Sequence, residues 1–410
     1  MNNYRNQENE KPTSKRVIKI PYEDSFIELP IRGNAEITEL IPPYIEPLSY
    51  QQILHSIRNP AANAPLSEIA KGKHNVLIIL ENATRPLDTS FIASLVVEEL
   101  SKAGVADENI TFLFANGAHG AHKDMEEYNY KIKLGDKFKN FKIINHDCEG
   151  EHINLGKTKL GSPILINPLV LEADLKIAVG TIVPHYGDGV SGGAKILFPG
   201  CAGLEWIFNN HSLKRGELGV VDNQWRSDTE ESASKVGIDF MVNAVLNYKR
   251  EIIGLYCGDC IKAHREGVNL SLKASVAELP YKADFCIAGS SPFDLNFIQT
   301  LKGLTQTRTV IKEDGTYVML TSCRQGLGNH RWLLDERMLE RRHKQNADYD
   351  SAMTEIIYST HLSENELHSY CPKQVRVVDD INKLRQMIAS LDKPDEKGII
   401  LPFSPITIFR

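Results

Sequence analysis

The sequence has no surplus of positive charge, no long apolar run and no cysteine framework. Lys and Arg number 47 against 53 Asp and Glu, a net charge of −6. Nucleic-acid recognition needs a basic face, so no nucleic-acid partner is expected. No stretch approaches the roughly 20 apolar residues of a membrane-spanning helix, so no membrane partner is expected either. Seven cysteines lie scattered from Cys148 to Cys371, an odd and dispersed set that does not pair into a scaffold. Cys257 and Cys260 form a lone C-x-x-C, with no second pair to complete four zinc ligands, and read as two thiols at a strand end. Internal repeats, low-complexity segments, a phosphate loop of the G-x-x-x-x-G-K-[ST] type and an H-E-x-x-H helix are absent as well. Residues 1–16 are polar, without the apolar core of a signal peptide. They read as a disordered leader, and the cytoplasm is the expected compartment.

What remains is the composition of a soluble globular protein, 42% apolar and 24% charged. A chain of 410 residues exceeds one ordinary core. The pattern predicts strands over 74–80, 109–116, 141–146 and 175–183, with a helix over 88–103. A second series follows: a strand over 283–289, a helix over 293–304, a strand over 317–323, a strand over 375–378 and a helix over 381–391. Strands alternating with helices predict two α/β domains with mainly parallel sheets and a cleft between them. The domains are placed at 17–275 and 276–395, linked through a helix over 260–278. A tail at 396–410 is expected to return to the N-terminal domain.

In parallel α/β sheets, ligands sit beyond the carboxyl ends of the strands. There the sequence places Asn82-Ala-Thr-Arg85, then Gly117-Ala-His119, then His185 followed by a glycine-rich loop through Ser191, Gly192 and Gly193 to Lys195. Such a loop can bring backbone N–H groups to a phosphate. It can equally be a mobile turn with a solvated lysine. A dinucleotide fingerprint is not assigned, since no acidic partner can be identified, and neither is a hydrolase elbow. Histidine suits acid/base work near neutral pH and binds nickel, zinc or copper. His119, His185 and His211 all fall at this rim. The residues themselves point to an α/β enzyme with a histidine-rich, phosphate-compatible cleft.

Taken together, Asn82-Ala-Thr-Arg85-Pro, Asn-Gly-Ala-His119, His185 ten residues before Lys195 in Ser-Gly-Gly-Ala-Lys-Ile-Leu-Phe-Pro-Gly, Asn-Asn-His211, and Asp294-Leu-Asn-Phe-Ile298-Gln299-Thr-Leu-Lys302 resemble the nickel-dependent lactate racemase family. The resemblance runs from about residue 20 to the C-terminus. It implies a nickel-pincer nucleotide, a pyridinium mononucleotide that binds nickel through two sulfur arms and a ring carbon. Lys195 would carry it covalently, with Ser191, Gly192 and Gly193 around it, and His211 would complete the nickel ligands. His119 and His185 would be the paired acid/base groups. Arg85, Lys302 and Gln299, with Asn82, would face the substrate. The implied reaction is racemisation or epimerisation of a 2-hydroxy acid by hydride transfer, and separate cofactor-synthesis enzymes would be partners. The alternatives are a non-catalytic nucleotide- or metal-binding relative, or a nicotinamide-dependent oxidoreductase. Asn82 stands where the family usually has Asp, Ile298 where its lactate enzyme has Tyr, and Gly120 where Arg is common. The expected substrate is therefore a 2-hydroxy acid larger than lactate.

Overall fold

The computed structural model describes residues 16–119, 123–349 and 351–410. All but the last residue of the expected leader, and Gly120, lie outside the described residues. Twelve strands build two six-stranded sheets: β1 (Glu36–Glu39), β2 (Val76–Glu81), β3 (Ile110–Ala115), β4 (Lys142–Asn145), β5 (Leu175–Thr181), β6 (Phe240–Leu246), β7 (Ile252–Gly258), β8 (Ala283–Gly289), β9 (Ile311–Leu320), β10 (Thr354–Tyr358), β11 (Arg376–Val378) and β12 (Lys397–Leu401). The first sheet has the order β7-β6-β5-β2-β3-β4, parallel except for the β6–β7 edge hairpin. The second has the order β11-β10-β9-β8-β12-β1 and is wholly parallel. Both are mixed helix-and-sheet units of the predicted class. β2 (VLIILE) is buried along its entire length, as a strand covered by helices on both faces must be.

Six of the helices are α1 (Thr89–Lys102), α2 (Leu204–Ser212), α3 (Gln224–Val236), α4 (Cys260–Lys273), α5 (Phe297–Val310) and α6 (Ile381–Leu391), of which α2, α3 and α5 line the site. Their starts follow from short polar side chains that accept from free N–H groups. Asp88 caps α1, Asn223 caps α3, Asp259 caps α4 and Asn296 caps α5. Cys257 ends β7 and Cys260 opens α4; both are free thiols. Among the described residues no helix is long and apolar enough to cross a membrane.

The tail divides: Phe403 and Ile406 pack with Val183 and Tyr248 of the N-terminal half as expected, but its strand does not. Residues 397–401 form β12 beside β8, inside the second sheet rather than on the N-terminal half. The chain's beginning joins them, because β1 pairs with β12 at the sheet edge. The hairpin of Arg16–Tyr22 with Ser25–Ile31 packs Ile18, Ile20, Leu29 and Ile31 against Phe285, Ile287 and Ile400. Residues 16–39 therefore belong with the second sheet, although they precede the first. The physical reason is burial: the apolar β12 (KGIIL) is covered only when both its edges are paired. The β6–β7 hairpin was also unforeseen. Its turn carries no Asn-Gly signal; Asn247 Oδ1 instead accepts from Lys249 and Glu251 N–H, and Arg250 takes a positive φ of 66°.

One carboxylate fastens the ends of the chain together. Asp392, just after α6, accepts from the backbone N–H of Arg32 (2.6 Å), Gly33 (2.9 Å), Asn34 (2.8 Å) and Ala35 (2.9 Å). Replacing Asp392 with Ala orphans four donors at a buried position. A stability loss of about 3 kcal/mol is expected, read by urea unfolding. A change under about 0.5 kcal/mol would show that water replaces the carboxylate without cost.

Candidate active site

In each sheet the strand order reverses direction beside a central strand, β2 in the first and β8 in the second. Ligands collect outside the carboxyl ends at such switch points. The loops after β2, β3 and β5 and the N-terminal turns of α5 converge there, around a cavity of about 390 Å³. All eleven site residues expected from the sequence line it, as does Ile298.

The loop after β2 is set by Asn82. Its Oδ1 accepts from Thr84 N (3.0 Å) and Thr84 Oγ1 (2.6 Å), and its Nδ2 donates to the carbonyls of Ala115 (3.3 Å) and Asn116 (3.4 Å). Asn82 lines the cavity, and both ends of its amide are also engaged, by its own loop and by the carbonyls at the end of β3. An aspartate here could not donate to those two carbonyls. The turn aims Arg85, whose Nη1 donates to Thr84 Oγ1 (2.8 Å) and Gln299 Oε1 (3.3 Å). Lys302 Nζ donates to the same Gln299 oxygen (2.7 Å) and rests over the Phe293 ring at 4.0 Å. Gln299 Nε2 in turn donates to His119 Nε2 (3.2 Å). One amide on α5 thus links two first-sheet loops across the cleft. Burial holds the pKa of Lys302 well below the ordinary lysine value, and Arg85 and Lys195 reinforce this.

Lys195 is the centre of the second group. Its Nζ lies 2.5 Å from Asp188 Oδ2 and 3.1 and 2.9 Å from the two ring nitrogens of His185. Burial lowers its pKa to about 8; Asp188 opposes the shift, and Arg85 and Arg226 add to it. The same burial, with Lys195, Lys302 and Arg85 nearby, keeps His185 neutral far below its usual titration. Asp188 is pushed up by burial but more than compensated by Lys195 and Arg226, so its carboxyl sits below the ordinary range.

The glycine-rich loop is clamped from behind. The buried Arg226 of α3 donates to the carbonyls of Gly192 (2.9 Å) and Val190. His264 of α4 receives a hydrogen bond from Arg265 at Nδ1 and donates from Nε2 to the Ser191 carbonyl (2.9 Å). Gly193 N donates to Asn243 Oδ1 (3.0 Å). Gly187, Gly189 and Gly192 stand at G-x-G-x-x-G spacing, and Gly189, Ser191 and Gly193 at G-x-S-x-G spacing, two motifs left unassigned from the sequence. Neither context is present. The loop is a short hairpin running into a 3-10 turn at Gly193–Ile196, not a strand-to-helix elbow.

His211, in the last turn of α2, lies between Trp225 and Trp332, with ring centroids at 4.3 and 4.6 Å. Burial lowers its pKa to about 3, so the imidazole is neutral. Nδ1 is shielded from solvent and makes no hydrogen bond of ordinary geometry, although the Ile207 carbonyl one turn back favours the protonated ring. His330 meets the His119 ring edge-on at 4.8 Å. Sequence reasoning assigned no role to Asp188, Arg226, His264, Trp225, His330 or Trp332. Only Asp188 carried a readable signal, a carboxylate between His185 and Lys195.

The comparisons now bear on this geometry. Residues 22–219 match the family model described as lactate racemase N-terminal domain. The chain is 31% identical over 325 residues to the lactate racemase of Lactiplantibacillus plantarum, 76% of each chain being covered. It is 30% identical over 298 residues to that of Thermoanaerobacterium thermosaccharolyticum, covering 70% of this chain and 69% of the relative. The chain belongs to the lactate racemase family. The lactate racemase apoprotein structure from T. thermosaccharolyticum superposes with a TM-score of 0.73 at 23% identity, covering 96% of this chain and 100% of that one. A Thermotoga maritima protein superposes with a TM-score of 0.65 at 18% identity, covering 90% of this chain and all of the other. At these identities the two structures attest the fold.

The loop geometry is directly testable. Gly193 has φ +61°, and a Cβ there would meet His264 Cγ at 2.9 Å. Gly72 has φ +71° with nothing within 4 Å. Gly193→Ala should therefore cost about 1–3 kcal/mol more than Gly72→Ala. Equal urea midpoints for the two variants would show that the loop yields freely.

Proposed function

We propose that this chain is a racemase or epimerase of a 2-hydroxy acid that works with a nickel-pincer nucleotide held on Lys195. The observation that carries the reading is the convergence of two acid/base histidines, a carboxylate clamp and a buried low-pKa amine on one cavity. The chain's residues fit such a cofactor. Lys195 offers an amine that is substantially neutral at mildly basic pH, as amide formation requires. Gly192 and Gly193 leave no room for a Cβ beside it. His211 presents a neutral ring with a polar atom lacking a partner. Among the described residues no three His, Cys, Asp or Glu side chains gather to hold a metal, so nickel at His211 would take its other ligands from the organic group. When bound, that group supplies a hydride acceptor that can return hydride to either face of the substrate carbon. Other enzymes must synthesise it.

The chain's own residues bind, orient and move protons. Arg85 and Lys302 converge on one amide oxygen of Gln299, and a substrate carboxylate would take the same pair of donors. His119 and His185 stand ready on the cavity wall to accept the hydroxyl proton, one for each enantiomer. In the chain with a free amine, burial with Lys195, Lys302 and Arg85 nearby holds the His185 pKa well below its usual value, so the ring is neutral there. Asn82 is occupied by its own loop, whereas Ile298 lies in an apolar cluster on the cavity wall. The favoured substrate is accordingly a 2-hydroxy acid with an apolar extension beyond lactate.

Two sets of variants test the reading. Lys195→Ala should lose covalent cofactor by intact mass, and His211→Ala should keep the organic mass but lose nickel by metal analysis. Organic mass retained in Lys195→Ala would overturn the tether. His119→Ala and His185→Ala should each lower racemisation of the preferred substrate by about 10²–10⁴-fold, followed by chiral chromatography over a panel of 2-hydroxy acids. Lactate as the fastest substrate of the unaltered enzyme would refute the apolar extension.

A further inference from the structure

Asp188 is the one carboxylate in contact with both Lys195 and His185, and none of the roles above uses it. It is 2% exposed; its Oδ2 lies 2.5 Å from Lys195 Nζ and 3.3 Å from His185 Nδ1. A buried carboxylate with two partners serves the stronger one, here the ammonium. An amine converted to an amide has no charge and keeps one N–H where the ammonium had three. Asp188 would then be a buried anion that has lost its contacting ammonium and keeps only the more distant Arg226, an unfavourable state unless another donor takes over. The donor already in place is the Nδ1 side of His185. The other charged groups facing His185 are Lys195, Lys302 and Arg85, all cationic, with the neutral His211 beyond. Among the described residues no second carboxylate pairs with His185.

We propose that Asp188 is a positioning residue that is passed from Lys195 to His185 when Lys195 is acylated. With the free amine it holds the ammonium in the cavity. With the acylated amine it accepts from His185 Nδ1–H, fixing the tautomer that turns Nε2 toward the substrate and strengthening that nitrogen as a base. The histidine is thereby made competent only in a chain whose lysine carries its load. This rests on the tethering of a cofactor at Lys195, but its test requires no cofactor.

Lys195→Gln places a neutral amide at the same position. In the cofactor-free protein labelled with ¹⁵N-histidine, NMR reads both the tautomer and the titration of His185. Lys195→Gln should show a protonated Nδ1 at neutral pH and a His185 titration raised by about one pH unit or more relative to the unaltered chain. Adding Asp188→Asn should reverse the rise. Lys195→Met, equally uncharged, serves as the second background should the Gln variant fold poorly. Identical His185 signals with and without Asp188 in both backgrounds would overturn the proposal. That result would leave the cofactor assignment untouched, because the latter is judged by intact mass and metal content.

Discussion

The cavity holds more positive charge than the protein neutralises, and much of the surrounding structure follows from that imbalance. Arg85, Lys195 and Lys302 all point into it. The nearby carboxylates are Asp188, spent on Lys195, and Glu81. The latter accepts from Thr181 Oγ1 (2.8 Å) and Leu87 N (3.2 Å) and lies 3.5 Å from the buried Lys133. Burial of unpaired cations is expensive, so their pKa values fall or neutral dipoles must gather around them. Both occur. Gln299 turns its oxygen to Arg85 and Lys302, and Lys133 donates to the carbonyls of Arg85 (2.7 Å) and Leu87 (2.6 Å). Such a field keeps neighbouring histidines neutral and favours an anion entering from outside. A carboxylic acid substrate meets both conditions, which ties the family's chemistry to electrostatics rather than to a single residue.

This field is assembled from both sheets. First-sheet loops supply Arg85, His119, His185 and Lys195, whereas α5 of the second supplies Gln299 and Lys302. The bridge runs through side chains and backbone alike: Arg331 N donates to the Ala118 carbonyl (2.7 Å), and Arg331 pairs with Glu149 at 2.8 Å. The residue after the 3-10 turn that carries His119 lies outside the described residues, but the turn itself is fastened from the opposite half. Closing or opening the two halves would move Gln299 and Lys302 relative to Arg85 and His119.

Much of the candidate site was legible because strand ends are legible. Apolar runs such as Val-Leu-Ile-Ile-Leu mark their own termini, and the polar residues just beyond fall at the ligand-binding edge by topology alone. The residues that clamp the loop were not legible. Arg226, His264 and Asn243 sit on α3, α4 and β6, 33 to 71 positions from Gly193, and nothing in their local pattern distinguishes them from helix or strand surface. The hydrogen bonds that hold Asn82 were hidden for a similar reason, since its partners Ala115 and Asn116 come from the end of a neighbouring strand. Fold errors share this cause. β1 and β12 pair across more than 350 residues, a contact that periodicity cannot express.

The packing around His211 has an optical consequence. Of three tryptophans in the chain, Trp225 and Trp332 flank this ring, while Trp206 is fully enclosed in the first core with its indole N–H on Ser232 Oγ at 2.9 Å. Most of the chain's intrinsic emission therefore originates within a few ångströms of one imidazole. Occupation of that ring by a transition metal would quench Trp225 and Trp332 most directly. The protein thus carries its own fluorescence gauge of what sits at His211.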